Sequence, residues 1–193
     1  SLKEPVFMPV LSEGQVLRLL PTLSELADSR QWRVRQSAVE IVPALLGCTS
    51  KLETRTEISK LCLRLMNDSV DAVRKTAAEC LCMGGSSLGS HGENASAEWI
   101  ISIVIPMIRK CAIHPVSKQR LLCLKMVETV FLNGVCPAER STESPMHELA
   151  VISLSLAGDR TANVRLNVGR MLESVIHMLG EEEVSYVKDS LLQ

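Results

Sequence analysis

Four arginines, Arg35, Arg74, Arg120 and Arg165, stand 39, 46 and 45 residues apart, and each lies near the start of a segment with helical apolar spacing. Repetition at one period constrains the fold of such a chain more than any local motif. A pair of amphipathic helices cannot bury its apolar face alone, whereas stacked pairs share one continuous core. Spacings of about 40 to 47 residues are those of tandem two-helix units. Two interposed loops account for the longer intervals.

The units share one plan: an amphipathic helix, a short polar turn, and a second helix that opens with an apolar residue and arginine. The first unit is read at 13–47. Val16, Leu17, Leu19, Leu20, Leu23, Leu26 and Ala27 give it a wide apolar stripe, and Asp28 to Gln31 form its turn. Its second helix runs on from Trp32 to Leu46, with Gly47 as the stop. The second unit is read at 54–83, with its turn at Asn67 to Ser69 and its stop at Gly84 and Gly85. The third occupies 97–133 and turns at His114 and Pro115, where an Asp turn is missing. The fourth occupies 146–180 and turns at Gly158 to Thr161. Segment 181–193 reads as the first helix of a partial fifth unit, which looks cut short. Segments 84–96 and 134–145, rich in small and polar residues, are read as loops between units. The expected fold is all-α: an α-α superhelix of about four helix pairs plus a partial fifth, in one domain.

Composition agrees with helices. Hydrophobic residues make up 46% of the 193, yet aromatics only 3%, so the core rests on Leu, Ile, Val, Ala and Met. A net charge of −1 argues against a dedicated nucleic-acid binder, which carries a basic stripe. No apolar run is long enough to span a membrane, and the first residues lack the plan of a signal peptide. The seven cysteines have no C-x-x-C spacing and sit mostly in apolar helical patterns. They read as buried reduced thiols, which places the chain in the cytoplasm or also the nucleus.

Chemistry is sparse. Gly84, Gly85 and Gly89 lack the lysine and hydroxyl residue of a phosphate loop. The histidines are scattered, and Cys111 with His114 gives only one weak metal-type pair. No nucleophile is paired with a base in a known motif. The expectation is a non-enzyme with no metal, no cofactor and no small-molecule substrate.

Three passages carry a resemblance: D-S-R-Q-W-R-V-R from Asp28, N-D-S-V-D-A-V-R from Asn67, and A-G-D-R-T-A-N-V-R-L-N from Ala157. They resemble HEAT repeats, most closely those of the scaffold and regulatory subunits of type 2A-like protein phosphatases, either a type 2A scaffold or a type 4 regulatory subunit. The resemblance implies a HEAT/armadillo-like solenoid that binds a Ser/Thr phosphatase catalytic subunit, together with further regulatory subunits, through its intra-repeat turns. Carried over turn by turn, it marks Arg30, Gln31, Trp32 and Arg33; Ser69, Val70 and Asp71; Pro115, Ser117 and Lys118; and Arg160, Thr161 and Asn163 as contacts. Trp32, amid Arg30, Arg33 and Arg35, has the composition of an interface hot spot. Asp28, Asp68 and Asp159 with Arg35, Arg74, Arg120 and Arg165 form a structural ladder that fixes register between repeats, with an interruption expected at the third unit. Tubulin-binding and transport-receptor arrays are the alternatives within the same architecture.

Overall fold

A computed structural model describes residues 11–49, 51–87, 93–133 and 145–178, together with residue 184. The described residues contain helices and no strand. The first unit comprises α1 (Glu13–Ala27), α2 (Trp32–Glu40) and α3 (Val42–Gly47). The second pairs α4 (Leu52–Leu65) with α5 (Asp71–Ser87). In the third, α6 (Glu93–Trp99) passes through a π-helical turn, Ile100–Val104, into α7 (Ile105–Ala112), which pairs with α8 (Ser117–Leu132). In the fourth, α9 (Pro145–Ser155) pairs with α10 (Ala162–Val175). The second helices stack in a row: α2 and α3 on α5, α5 on α8, and α8 on α10. The first helices form the other layer, α1 on α4 and α7 on α9. This is an all-α solenoid of four helix pairs. The expected partial fifth unit at 181–193, and nearly all of loop 134–145, fall outside the described residues.

One core runs through the array. Val16, Val39, Leu46, Ile58, Leu81, Ile108, Met126, Leu149 and Val168 all belong to it and are buried. The first stripe is narrower than its sequence suggests. Val16, Leu23 and Ala27 are buried, whereas Leu17, Leu19 and Leu26 are exposed. A single helix flank reaches only the neighbours it has, and α1 meets α2 on one side and α4 on another.

Two second-layer helices depart from the expected boundaries. The helix read as continuous from Trp32 to Leu46 breaks at Ile41, because Pro43 has no N–H to give back to the preceding turn. The opposite happens at Gly84 and Gly85. They do not stop α5, which continues to Ser87, and α6 begins at Glu93, so only 88–92 of the expected loop remain outside the described helices. The reason is packing. An added Cβ on Gly84 would lie 2.5 Å from Leu46 Cδ1 and 3.1 Å from Trp99 Nε1. The Trp99 indole rests on this glycine, and its Nε1 donates to the Leu81 carbonyl at 3.0 Å. Ser96 Oγ donates to the Gly85 carbonyl at 2.7 Å. The glycines are the seat on which the third unit docks.

The π-helical turn has a local cause as well. Ile105 N–H reaches back to the Ile100 carbonyl, and Pro106 follows with no donor of its own. Between the first two units, buried Arg55 donates to the Thr49 carbonyl at 2.9 Å and ties down their connection.

Candidate protein-docking ridge

The four turns between paired helices lie along one edge of the solenoid, and they are built alike. Each marker arginine folds back on its own turn. Arg35 Nη1 donates to the carbonyls of Ser29 (2.8 Å) and Arg30 (3.2 Å). Arg74 Nη1 does so to Asp68 (2.7 Å) and Ser69 (2.9 Å), and Arg120 Nη1 to His114 (2.8 Å) and Pro115 (2.9 Å). Arg165 Nη1 donates to the Asp159 carbonyl at 2.7 Å. The residue six before each arginine closes the turn by accepting the N–H two positions on. Asp68 Oδ1 accepts from Val70 and Asp159 Oδ1 from Thr161. Ser29 Oγ accepts from Gln31, and His114 Nδ1 from Val116. Such side-chain bonds are the usual reason for Asp and Ser in turns.

Two rungs of the inter-repeat ladder form on this frame. Arg35 meets Asp68 of the next unit through Nε at 2.6 Å and Nη2 at 2.8 Å. Arg120 meets Asp159 in the same two-pronged way, at 2.5 and 2.9 Å. Planar guanidinium and carboxylate match in this fork geometry. Both pairs are largely shielded from solvent, at 14% and 6% side-chain exposure for the first and 7% for each member of the second. The bonds from Arg120 hold the Asp159 carboxyl down to about 2. Arg35 likewise lowers Asp68, and the acid in turn raises the guanidinium.

The other expected members stand differently. Asp28 is one residue out of register: Ser29 holds the ladder position, and Asp28 makes an exposed contact with Arg64 at 3.4 Å. Arg74 has no aspartate ahead of it, because His114 occupies that place in the third turn. Its Nη2 turns to Asp71 of its own helix at 2.9 Å, and its buried Nε has no hydrogen-bond partner. Arg165 is exposed and, among the described residues, bonds only within its own turn. At the interrupted junction Gln119 takes over, donating to the Met66 carbonyl at 3.1 Å and Asn67 Oδ1 at 3.2 Å. Glutamine in place of the usual valine is the sequence signal for that bridge.

The candidate contacts fall on the ridge in varied settings. Arg30, Gln31 and Arg33 are exposed; Trp32 is half-buried against the core, with the Arg33 guanidinium 4.8 Å above its ring. Ser69 is exposed, Val70 is half-buried, and exposed Asp71 pairs with Lys75 at 2.8 Å, which lowers its carboxyl. Pro115 and Lys118 are exposed and Ser117 is half-buried. Exposed Arg160 reaches across units to the Pro115 carbonyl at 2.7 Å. Thr161 accepts from Arg120 Nη2 at 3.2 Å, and exposed Asn163 accepts from Asn167. The inner layer offers a second concavity between α5, α8 and α10, but its Lys125 is already shared by Glu79 and Glu128, at 3.1 Å each.

Residues 58–83, across α4 and α5, match the HEAT repeat family. That segment is a HEAT repeat. The chain is also similar to the eIF-2-alpha kinase activator GCN1 of Dictyostelium discoideum, 27% identical over 144 residues. That match covers 73% of this chain and 5% of that protein, so the chain spans about a twentieth of the relative's length. HEAT arrays are protein-interaction scaffolds and typically non-catalytic. Among the described residues no helix is long and apolar enough to cross a membrane.

Proposed function

We propose that this chain is a non-catalytic scaffold whose turn ridge holds a protein partner, and that the partner is the catalytic subunit of a 2A-type Ser/Thr phosphatase. One observation carries the scaffold reading. Every turn is clamped by its own arginine and closed by the residue six before it, so the ridge side chains are presented from a fixed backbone. Preorganised side chains lose little entropy on binding. The phosphatase assignment is supported by the resemblance of the first, second and fourth turns to those of type 2A-like scaffold and regulatory subunits. A second reading, regulation of a protein kinase, draws on the similarity to a kinase activator.

The test uses exposed residues, because Trp32→Ala would disturb packing together with binding. Purified catalytic subunit is mixed with the chain and with its Arg30→Glu/Arg33→Glu variant, and complex formation is followed by size-exclusion chromatography. Loss of the complex at unchanged helicity is expected. A complex that survives the double charge reversal removes the first turn from the site. No complex with the unaltered chain removes the phosphatase.

A further inference from the structure

The third turn lacks the ladder acid that the second and fourth turns carry, and the lack costs stability. His114 replaces the ladder acid, Arg74 loses its cross-repeat partner, and the buried Arg74 Nε is left unbonded. Places where a protein violates its own local rules are where functional sites tend to lie. At the same turn Ile113 is 85% exposed, more than any other large hydrophobic among the described residues. The corresponding positions carry Asp28, Asn67 and Gly158. Val116 is half exposed and Pro115 is exposed beside it. Three cations surround this apolar row. Lys110 lies one helical turn before Ile113, Lys118 opens α8, and Arg160 is bonded to the Pro115 carbonyl. None of the three is in an ion pair among the described residues.

From this turn we infer a docking point for an amphipathic helix of a partner protein, one whose apolar stripe is flanked by Asp and Glu. The inference rests on the reading of the ridge as a protein-binding edge. The backbone decides for a helix over an extended strand. The His114 and Pro115 carbonyls already accept from Arg120, the Pro115 carbonyl also accepts from Arg160, Val116 N–H is held by His114 Nδ1, and Pro115 has no N–H. From His114 to Val116 a strand would find these backbone groups already engaged. A helix arrives with its own hydrogen bonds made and needs only side chains. Ile113, Pro115 and Val116 supply the apolar contact, and Lys110, Lys118 and Arg160 select acidic flanks.

The test is a titration of the ¹⁵N-labelled chain with three synthetic helical peptides: one with a Leu stripe and Glu flanks, one with a Leu stripe and Lys flanks, and one with Ser in place of Leu and Glu flanks. The Leu–Glu peptide is expected to shift amides around Ile113 and Arg160 and to bind more weakly as salt rises. Ile113→Asp is expected to weaken it about tenfold or more, the loss of one buried branched side chain. Ile113 is so exposed that this variant keeps its fold. Lys110→Glu/Lys118→Glu gives an independent variant, expected to weaken the Leu–Glu peptide and strengthen the Leu–Lys one. Equal binding of the Leu–Lys or Ser–Glu peptide, shifts centred elsewhere, or no shifts at millimolar Leu–Glu peptide overturns the inference. Phosphatase binding that survives Ile113→Asp leaves the proposed function standing. Peptide binding without phosphatase binding does the reverse.

Discussion

Replacing Gly84 with alanine tests whether a glycine in the last turn of α5 is a packing site or merely a poor helix residue. The two views predict opposite signs. On helix propensity alone, alanine gains about 0.8–1.0 kcal/mol over glycine. In the structure the new Cβ falls 2.5 Å from Leu46 Cδ1 and 3.1 Å from the Trp99 indole nitrogen. Leu46 and Trp99 are both buried, so neither can swing out to solvent. Forcing a methyl group into such a core costs about 1–3 kcal/mol. The net expectation is a destabilisation of about 1 kcal/mol, or about 2–4 °C in the melting midpoint for a chain of this length. Gly169, in α10, is the matched control. Nothing lies within 4 Å of its added Cβ, so Gly169→Ala should raise the midpoint by a similar amount. Leu46→Ala supplies the second arm. It removes the Cδ1 that the new methyl group would meet at 2.5 Å and costs about 2–5 kcal/mol on its own. In that background Gly84→Ala should become neutral or stabilising, a coupling of about 1 kcal/mol or more. Thermal and urea melts followed by circular dichroism give all the values. A Gly84→Ala variant as stabilised as Gly169→Ala would refute the packing argument, and so would a cycle with no coupling.

Other consequences follow from the same structure. The Asp68 and Asp159 carboxyls are held below the ordinary value of about 3.9. Their ladder contribution is therefore complete above about pH 4 and is lost as pH falls towards 2. Asp159→Asn should lose less stability than the unaltered chain across that window in acid urea melts, and an equal loss would argue against the rung. Completing the interrupted ladder with His114→Asp should offer Arg74 Nε its missing acceptor and raise stability by about 1 kcal/mol, read as a higher urea midpoint. Burial pushes the Cys80 thiol up to about 12 and Cys111 to about 11, and raises Cys62, Cys82 and Cys123 as well. At neutral pH a disulfide reagent should modify partly exposed Cys48 quickly and these five only on unfolding; fast native-state labelling at Cys82 would contradict the packing.

The period of the arginines was readable because each one does the same local job, clamping its own turn, which keeps its type and place in the chain. The interruption at His114 and Pro115 was readable for the same reason. The register of the first turn was not. Asp28 looks like the ladder acid, but counting six back from Arg35 lands on Ser29, and only the hydrogen bonds distinguish the two. The role of Gln119 was visible as an oddity among valines, yet its acceptors lie 53 and 52 residues away in the chain. Nothing in the sequence marks Ile113 as exposed; only the packing of the third unit leaves it so.

Local sequence, then, determined that this chain forms paired helices and where they turn, since apolar spacing and turn chemistry act within a few residues. Tertiary structure decided what the junctions mean. Gly84 and Gly85 resemble a helix stop in every local respect; they remain helical because Trp99 needs a surface without side chains to rest upon. Arg74 is chemically the equal of Arg35 and Arg120, and it lacks a rung only because of what stands at the next turn. Such outcomes depend on residues brought together by stacking, and no single repeat contains them.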